Sequence, residues 1–528
     1  MSQPNSPVAI SQNTSNALSR LNEALVLHQS GRLCEAEKSY LDIIGTDPFE
    51  PTALFYLANL YASQDRRPLA AEFFERAVAV CSNEPQIHNN RGCNLSAMGE
   101  LSAAILSFER ALSLDSSYSA AHYNKANALK QCGKTREACA SYDSALKCNP
   151  QYPDALNNLG NALKDLGEFE RATSCFLKAL EMRPNHFETL YGLGVVQHML
   201  HDFQSALCSY NRVIELNPDY AEAYWNKAIL YLMHGHYLEG WRLFDWRLRM
   251  PGASTKYSFF DKPDWRGEED ISDKRLFIPS EQGLGDLIQF SRYAAMAVEK
   301  AGEVILEVPK MLVPVIRTLH PEITLSIKGQ KPPEFDVYCP VMSLPYAFRT
   351  TLETIPTNGK YLSSDGQKVS LWQEALGPTD KKRVGLVWSG SPKHENDHNR
   401  SIPLTELVPL LSDSVEWHSL QKEYRETDLA VLESMPQVSQ HQDALVDFSD
   451  TAALIECLDL VITVDTSVAH LAGALGKPVW IMLPHVPDYR WLTDRDDSPW
   501  YDSVRLYRQQ TSGDWSSVTD QIVSDLNS

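Results

Sequence analysis

The sequence has little that would suit a membrane-spanning, secreted or zinc-binding protein. No run of eighteen or more apolar residues occurs among its 528 residues, so no helix is expected to cross a membrane. The stretch MSQPNSPVAISQNTSN lacks the basic and then apolar profile of a secretory signal, and residues 1–16 are predicted to form a disordered leader. Ten scattered cysteines form no C-x-x-C pair, which argues against structural zinc and disulfides and favours a reducing cytoplasm.

Positive charge is also scarce. The chain has 48 Lys and Arg against 68 Asp and Glu, for a formal net charge of −20. Such a surface disfavours non-specific binding to nucleic acid or to an anionic membrane, both of which need patches of Lys and Arg. The length exceeds one ordinary hydrophobic core and predicts two or three folding units.

The first half of the chain repeats with a period of 34 residues, and two columns of small residues and one of aromatic residues stay in register over seven units. The first small column holds Ala24, Ala58, Gly92, Ala126, Gly160, Gly194 and Ala228, the second holds Ala36, Ala70, Ala104, Ala138, Ala172, Ala206 and Gly240, and the aromatic column holds Tyr40, Phe74, Phe108, Tyr142, Phe176, Tyr210 and Phe244. Each unit is therefore predicted to be a helical hairpin, in which small residues let two helices approach and the ring fills the space toward the next unit.

This pattern resembles the tetratricopeptide repeat, which implies an all-α solenoid of about seven repeats over residues 17–252. The seventh unit departs from the others, because Arg247 stands where they carry a small or aliphatic residue. The segment EGWRLFDWRLRM is therefore predicted to be a capping unit that contacts the next domain.

An asparagine column lies two residues before the first small column. It holds Asn22, Asn90, Asn124, Asn158 and Asn226, with Tyr56 and Gly192 interrupting the series. On the first helix of each hairpin these side chains are expected to face the concave groove, where amides can bond the N–H and C=O of an extended peptide. The repeats of O-GlcNAc transferase carry a similar ladder, so Asn90, Asn124, Asn158 and Asn226 are candidates for binding a protein acceptor. The alternative interpretation is a solvated polar face.

Beyond a linker over residues 253–272, short apolar runs alternate with helical stretches. The predicted strands are 275–280, 303–309, 323–329, 335–340, 383–390, 415–421, 458–464 and 478–484. Alternation of strands and helices predicts parallel sheets with helices on both faces. Two Rossmann-like domains, over residues 273–365 on the acceptor side and 380–528 on the nucleotide-sugar side, are expected to face each other across a cleft.

The first predicted strand leads into the segment IPSEQGLGDLIQF. Gly283 and Gly285 allow a tight turn, and a helix begins near Asp286 at the carboxyl end of the strand, where ligands of such sheets bind. A carboxylate placed there can remove a proton from an acceptor hydroxyl. The alternative interpretation is that Asp286 only caps the helix.

The loop VWSGSPKHENDHNRSIPL, residues 387–404, follows the first strand of the second domain. Ser389 and Gly390 permit close backbone approach, and Arg400 is suited to phosphate oxygens. The alternative is a solvated surface loop. The two histidines of the loop stand without a framework of carboxylates or further histidines, so no metal site is predicted.

The stretch ITVDTSVAHLAGALGKPVWIMLP combines a strand, a polar turn, a helix of small residues and a strand. Thr466 and Ser467 stand where the helix starts, and free backbone N–H groups there favour an anion such as a nucleotide diphosphate. Asp465 is placed to hold the turn or bond a sugar hydroxyl, and His470, one turn into the helix, to reach a phosphate or sugar. The alternative is a capped core helix in which His470 is buried.

DTSVAHLAGALGKPVWIMLP, together with GLGDLIQF, resembles the ADP-heptose:lipopolysaccharide heptosyltransferases, glycosyltransferase family 9, over roughly residues 275–528. The whole chain is similar to bacterial tetratricopeptide-repeat proteins that carry this domain. The resemblance implies the two-domain GT-B fold and inverting transfer of a sugar from a nucleotide-diphosphate donor without a catalytic metal. By position, it makes Asp286 the base, puts Arg400 near the diphosphate, and makes residues 465–470 the donor turn.

Parts of the sequence depart from the lipopolysaccharide enzymes. The loop before Asp286 differs, the first domain is shorter, and residues 487–509 follow the long-chain relatives. Heptose and the lipid A core are therefore not the expected donor and acceptor. The expected function is a cofactor-free glycosyltransferase whose acceptor, such as a protein, is recruited by the repeats. Two alternatives stay open: a non-catalytic scaffold with a degenerate transferase domain, and a sugar-nucleotide epimerase or hydrolase.

Overall fold

The computed structural model describes residues 7–250, 252, 261–357, 359–394 and 396–528. The chain folds into two compact units, Met1–Asn217 and Pro218–Ser528. The division between them lies one repeat earlier than the predicted end of the repeats at residue 252.

Two predicted boundaries differ from the structure. Helix α1 begins at Pro7, inside the stretch 1–16 that was expected to be a disordered leader, and residues 1–6 lie outside the described part. Residues 253–260 of the predicted linker also lie outside it, and strand β1 begins at Ile271, before the predicted linker ends.

Over residues 7–250, fourteen helices pair into seven consecutive hairpins, as the repeat pattern predicts. The helices are α1 Pro7–Gln29, α2 Leu33–Thr46, α3 Pro51–Ser63, α4 Arg67–Val80, α5 Pro85–Ala97, α6 Leu101–Leu114, α7 Ser119–Gln131, α8 Thr135–Cys148, α9 Pro153–Asp165, α10 Phe169–Met182, α11 Phe187–Met199, α12 Phe203–Leu216, α13 Ala221–Met233 and α14 Tyr237–Phe244. The first six hairpins belong to the first unit, and the seventh, α13 and α14, belongs to the second.

The small and aromatic columns make the contact inside each hairpin. A Cβ atom added to Gly160 would lie 2.7 Å from the ring of Phe176, so only glycine leaves room for the ring there. Both Phe176 and the second small residue of that hairpin, Ala172, are fully buried. The sequence periodicity therefore reports helix-to-helix packing, as expected of the tetratricopeptide repeat.

The turn inside each hairpin needs a left-handed residue. Glycine supplies it in five hairpins with φ between 76° and 82°, at Gly31, Gly99, Gly133, Gly167 and Gly235. The equivalent positions in the other two are Asp65, with φ 61°, and His201, with φ 58°. This turn position is a further column of the 34-residue period, and non-glycine residues there adopt a costly backbone conformation.

The second unit contains the seventh hairpin and two parallel sheets. The strands are β1 Ile271–Ile278, β2 Ala301–Val308, β3 Ile323–Ile327, β4 Val337–Tyr338, β5 Lys382–Val387, β6 Val415–Ser419, β7 Val438–Gln440, β8 Leu460–Val464, β9 Val479–Leu483 and β10 Val504–Arg508. The first sheet has the order β3-β2-β1-β4 and the second has the order β10-β9-β8-β5-β6-β7. Every strand pair is parallel, as the alternation of strands and helices predicts.

Helices connect the strands on both sides of the sheets. They are α15 Leu284–Ala297, α16 Val313–Ile316, α17 Leu344–Ala347, α18 Gly366–Leu376, α19 Asp397–Arg400, α20 Glu426–Glu433, α21 Phe448–Glu456, α22 Ser467–Ala474 and α23 Ser516–Leu526. This arrangement is that of an all-α repeat region followed by an α/β region consistent with the GT-B fold. Among the described residues, none of the helices combines the length and the apolar character that crossing a bilayer requires.

One hydrophobic core joins the seventh hairpin to the two sheets. Trp241 of α14 packs edge-to-face against Phe290 of α15, with ring centroids 6.0 Å apart, and against Trp500, at 6.3 Å. Four aromatic residues that follow β9, Tyr489, Trp491, Trp500 and Tyr501, are all buried. The seventh hairpin is thus part of the folded α/β unit, which agrees with its prediction as a capping unit.

Candidate functional site

Strands β5 and β8 lie side by side at the point where the order of the second sheet reverses. In an open parallel sheet, ligands bind outside the carboxyl ends of the strands at this reversal. The loop after β5 and the turn after β8 meet there, because Nη1 of Arg400 donates a hydrogen bond of 3.1 Å to the carbonyl oxygen of Asp465. Two segments predicted independently to bind the donor are therefore neighbours in the fold.

The loop after β5 packs closely on Arg400. A Cβ atom added to Gly390 would collide with the guanidinium of Arg400, so the glycine is required for this arrangement. Ser389 is 3% exposed, and its hydroxyl has no hydrogen-bond partner among the described residues. The backbone of Ser389 is held by Gln421, whose Nε2 donates to its carbonyl oxygen at 3.0 Å.

A second arginine fixes the same loop from the other side. Arg425 forms an ion pair with Asp397, and its guanidinium also donates a 3.1 Å hydrogen bond to the hydroxyl of Ser401. Asp397 is buried and accepts a 2.8 Å hydrogen bond from Ser401 as well. Because Arg425 satisfies this carboxylate, the guanidinium of Arg400 lies 3.5 Å from Asp397 without being its main partner. Neither Gln421, the last residue of the predicted strand over 415–421, nor Arg425, four residues later, was recognised in the sequence.

The turn after β8 presents unpaired backbone donors. Helix α22 starts at Ser467, with Thr466 as its N-cap in extended conformation and no side-chain cap. The backbone N–H groups of Thr466, Ser467 and Val468 have no acceptor within the part of the chain that the structure describes. The first turn of a helix leaves such groups free and carries a partial positive charge, which suits an anion.

The opposite side of this turn is covered by the first turn of α15. A Cβ atom added to Gly285 would lie 2.8 Å from Cδ2 of His470 and 3.4 Å from the α-carbon of Ser467. The two sheets therefore contact each other at the place where an open cleft was expected. Thr466 and Ser467 nevertheless remain half-buried, so the start of α22 keeps an accessible side.

His470 lies in the core, as the alternative interpretation had it. Its side chain is 3% exposed, its Nδ1 is 2.9 Å from the hydroxyl of Tyr501, and its ring stacks on Trp491 with centroids 5.4 Å apart. Burial, reinforced by nearby arginines, holds the pKa of His470 well below its ordinary value, so the ring is neutral. His470 is therefore not accessible to a bound donor, because every residue from Val468 to Ala474 is buried.

Asp286 is placed at the carboxyl end of β1, as predicted, and both of its oxygens have partners. Oδ2 accepts a 2.8 Å hydrogen bond from the backbone N–H of Gly283, which is the helix-capping bond of the alternative interpretation. Oδ1 accepts a 2.6 Å hydrogen bond from Nη2 of Arg490. Arg490 follows β9 of the other sheet, so this ion pair joins the two sheets at the candidate site.

Arg490 itself was not recognised in the sequence. Its side chain is 9% exposed, and it also pairs with Asp488, at 3.3 Å between Nη1 and Oδ1. Asp465 contributes to the electrostatic field at Arg490, so three carboxylates surround one buried guanidinium. His394 of the loop after β5 lies in the same field, and burial lowers its pKa. Within the described ranges, no group of three His, Cys, Asp or Glu side chains is arranged to hold a metal ion.

The asparagine column of the first unit forms hydrogen bonds between repeats. Nδ2 of Asn90 donates to Oδ1 of Asn59 at 2.8 Å, and Nδ2 of Asn124 donates to Oδ1 of Asn89 at 3.0 Å. Asn158 repeats the pattern farther along the chain. Its Nδ2 lies 3.1 Å from both Oδ1 of Asn127 and the hydroxyl of Tyr123.

The members of the column differ in exposure and in the unit they belong to. Asn90, Asn124 and Asn158 are half-buried, whereas Asn22 is exposed. Asn226 is half-buried on α13, in the second unit. The first unit therefore contains a ladder of amide side chains. Part of the hydrogen-bonding capacity of these amides is used in bonds between neighbouring repeats.

A cavity of about 320 Å³ lies beside this ladder in the first unit. Its lining residues are Leu25, His28, Gln29, Phe55, Tyr56, Asn59 and Asn90. Tyr56, which interrupts the asparagine column, thus supplies an aromatic wall where five of the repeats carry an asparagine. The cavity combines aromatic rings with three amide side chains, those of Gln29, Asn59 and Asn90.

Family comparisons agree with both halves of the chain. Tetratricopeptide-repeat models match residues 15–85, 85–118, 126–167 and 151–219. The model of glycosyltransferase family 9 (heptosyltransferase) matches residues 437–482. This match includes the turn at Asp465, Thr466 and Ser467 but neither Asp286 nor Arg400.

One curated protein and several solved structures are similar to parts of the chain. Protein FlbA of Caulobacter vibrioides is 27% identical over 328 residues, which are 57% of this chain and 54% of that protein. The match therefore spans about half the length of the curated relative.

Among solved structures, the Pseudomonas aeruginosa pilF structure is 19% identical, with a TM-score of 0.38, and covers 41% of this chain and 98% of its own. The structure of YrrB, described as a TPR protein with an unusual peptide-binding site, is 24% identical, with a TM-score of 0.32, and covers 36% of this chain and 100% of its own. From the repeat and family matches, the chain carries tetratricopeptide repeats across its N-terminal region and a glycosyltransferase family 9-like segment near its C-terminus.

Proposed function

We propose that the protein is an inverting, metal-independent glycosyltransferase that uses a nucleotide-diphosphate sugar. The observation that carries the proposal is the meeting of the Arg400 loop with the Asp465–Ser467 turn at the reversal point of the second sheet. Three free amide groups and one guanidinium there suit the two phosphates of a donor. The same cation offsets the charge that develops as the diphosphate leaves.

The acceptor would be activated by a carboxylate of the same site. Asp286 and Asp488 both contact Arg490, one from each sheet, and are candidates for taking the proton of an acceptor hydroxyl. Asp465 would bond a sugar hydroxyl or hold the turn, and Ser389 would contribute its unpaired hydroxyl to the donor. His470 supports the helix from the core instead of touching the donor.

The repeats would recruit the acceptor, for which we propose an extended protein segment. Asn90, Asn124 and Asn158 form a line of amides on one face, and the cavity beside Tyr56 would take an apolar side chain of that segment. All ten cysteines are free, which supports a reducing cytoplasm as the place of action.

Melting-temperature measurements with UDP, GDP, ADP and dTDP sugars test the donor site. A ligand that binds only the native state raises the melting temperature, by an amount set by its concentration relative to Kd. At least one base is expected to give a shift that vanishes in the Arg400→Gln variant. The exposed Lys300→Gln serves as the matched control, since it removes one positive charge at the end of α15. Absence of a shift with all four bases would overturn the donor site.

A non-catalytic scaffold is the second candidate. The first turn of α15, at Gly285, packs on the start of α22, and both oxygens of Asp286 are engaged, as in a domain that has lost turnover. Product analysis by mass spectrometry after incubation with a donor that shifts the melting temperature separates the two. Binding without hydrolysis or transfer would favour the scaffold.

A further inference from the structure

Arg490 holds two carboxylates that come from different sheets. Asp488 and Arg490 follow β9, at the same edge as the start of α22, while Asp286 follows β1. Nη2 of Arg490 is 2.6 Å from Asp286, and Nη1 is 3.3 Å from Asp488. The guanidinium is 9% exposed, so its position is fixed by the protein and not by solvent.

The two carboxylates are not equally available to a substrate. The capping bond from Gly283 and the ion pair with Arg490 occupy one oxygen each of Asp286, whose side chain is 14% exposed. With one donor on each oxygen and little exposed surface, Asp286 has fewer free lone pairs to offer an acceptor hydroxyl.

Asp488 differs from Asp286 both in its hydrogen bonds and in its exposure. One oxygen, Oδ1, accepts the backbone N–H of Arg490 at 3.1 Å and lies 3.3 Å from its Nη1. The other, Oδ2, receives no hydrogen bond from the described residues. The Asp488 side chain is 35% exposed, against 12% for Asp465, which makes it the most accessible carboxylate of the cluster.

The surroundings of Asp488 raise its pKa toward neutral pH. About two thirds of its side chain is covered by protein, and this partial loss of water is the main cause that raises the pKa of Asp488 to about 6; Asp465 and Asp286 raise it further, and Arg490 opposes them. A general base works best when its pKa lies near the operating pH, because it must be ionised and still attract a proton.

We propose that Asp488 is the carboxylate that accepts the proton of the acceptor hydroxyl, that Arg490 positions it, and that Asp286 holds Arg490 in place. This assignment rests on the proposed glycosyl transfer. In that step the acceptor oxygen forms its bond to the anomeric carbon and gives its proton to Oδ2 of Asp488. The bond from the anomeric carbon to the phosphate oxygen breaks, and its electron pair leaves with the nucleoside diphosphate.

Steady-state kinetics of the full chain between pH 5 and 9 test the assignment, with the nucleotide sugar that shifts the melting temperature as the donor. The wild type is expected to lose kcat/KM about tenfold per pH unit below about pH 6. Asp488→Asn is expected to lower kcat by about 10²–10⁴ and to remove this acid limb, while the nucleotide-induced melting shift stays. Asp286→Asn is expected to keep the acid limb and to lose less than about tenfold in kcat. The exposed Asp502→Asn is the matched control.

The outcomes separate this inference from the proposed function. If the wild type is active and Asp286→Asn, but not Asp488→Asn, loses both turnover and the acid limb, the assignment is overturned and glycosyl transfer stands. If the wild type binds no nucleotide sugar, or binds one without turning it over, the proposed transfer fails and the assignment fails with it. A melting temperature for Asp488→Asn close to that of the wild type excludes misfolding as the cause of lost turnover.

Discussion

The guanidinium of Arg247 forms a bidentate ion pair with the carboxylate of Glu281. Its Nε lies 3.0 Å from Oε1, and its Nη2 lies 2.6 Å from Oε2. Arg247 ends the seventh hairpin, and Glu281 stands five residues before Asp286, so the pair ties the last repeat to the loop of the candidate site. Both side chains are about 96% buried. Arg247 also donates to Ser343 at 2.8 Å, and Glu281 accepts the backbone N–H of Met342 at 3.1 Å.

Arg247→Met is expected to destabilise the second unit by about 3–5 kcal/mol, because it leaves the buried charge of Glu281 without its partner. Equilibrium unfolding in urea, followed by tryptophan fluorescence, measures the loss. Arg242→Ala, an exposed arginine five residues earlier, is the control and should change the free energy by no more than about 0.5 kcal/mol. Equal effects of the two variants would show that the Arg247 pair contributes nothing beyond a surface charge.

The left-handed turn of the hairpins predicts a stabilising change. Asp65→Gly is expected to raise the stability of the first unit by about 0.5–1 kcal/mol, because glycine adopts φ 61° without the steric cost that aspartate carries. The exposed ion pair that Asp65 forms with Arg67 is worth little. Gly133→Ala, at the equivalent turn with φ 76°, should have the opposite sign. Thermal melts followed by circular dichroism measure both, and a destabilised Asp65→Gly would contradict the explanation.

The close contact between Gly390 and Arg400 predicts that a larger residue at position 390 weakens nucleotide binding. Gly390→Ala is expected to displace the Arg400 guanidinium and to weaken the donor about tenfold to a hundredfold, the value of one or two charge-assisted hydrogen bonds. Isothermal titration with the nucleoside diphosphate measures the affinity. Gly366→Ala, a glycine with open space around its α-carbon, is the control. An unchanged affinity for Gly390→Ala would place the phosphates elsewhere.

The burial of His418 leads us to expect that the second unit loses stability in acid. Burial, followed by the neighbouring His441, lowers the pKa of His418 to about 4, whereas an unfolded histidine titrates near 6.5. Between these values the unfolded state binds the extra proton, so stability falls as the pH falls, by at most about 1.4 kcal/mol per pH unit. Arg383 lowers this pKa as well, and Glu416 opposes the shift.

The His418→Gln variant should flatten that dependence between pH 6.5 and 4. Asp264, whose pKa burial raises to about 7, gains stability in acid, so the comparison must be the difference between variant and wild type at each pH. The exposed His398→Gln should follow the wild-type curve. Parallel curves for His418→Gln and the wild type would refute the assignment.

The seventh hairpin predicts where the chain tolerates truncation. A fragment that begins at Pro218 is expected to fold, whereas one that begins at residue 251 loses Tyr237, Trp241 and Phe244 from the core. Large aromatic side chains contribute about 3–5 kcal/mol each when buried, so the loss of three is as large as the usual stability of a domain, about 5–15 kcal/mol. Soluble yield and a cooperative melt distinguish the two fragments, and a cooperative fold for the shorter one would contradict the shared core.

Most of the fold could be predicted because its signals are local. All eight predicted strands coincide with observed strands, since each contains apolar residues that become at least partly buried in a parallel sheet. The two missed strands, β7 and β10, lie at the edges of the second sheet, and exposed polar residues interrupt their apolar pattern. In such short, interrupted segments the sequence does not distinguish a strand from a loop.

The candidate site was harder to predict than the fold, because the residues that contact each other there are far apart in the sequence. Asp286 and Arg490 are 204 positions apart, and the sequence marks neither as the partner of the other. His470 was predicted to face a ligand from its position in the helix, but α22 is buried from Val468 to Ala474. The doublets Asn89–Asn90 and Asn157–Asn158 were a visible signal in the sequence, since both members of each doublet form a hydrogen bond with a neighbouring repeat.

The place where the first compact unit ends, at Asn217, has an evolutionary consequence. Unequal crossing-over can add or delete whole 34-residue units ahead of that point without removing a residue of the second unit. The same event one repeat later would remove Trp241 and Arg247, which pack on α15 and pair with Glu281. Lineages that diversify by duplicating repeats are therefore expected to vary in number before Pro218 and to keep the final hairpin unchanged.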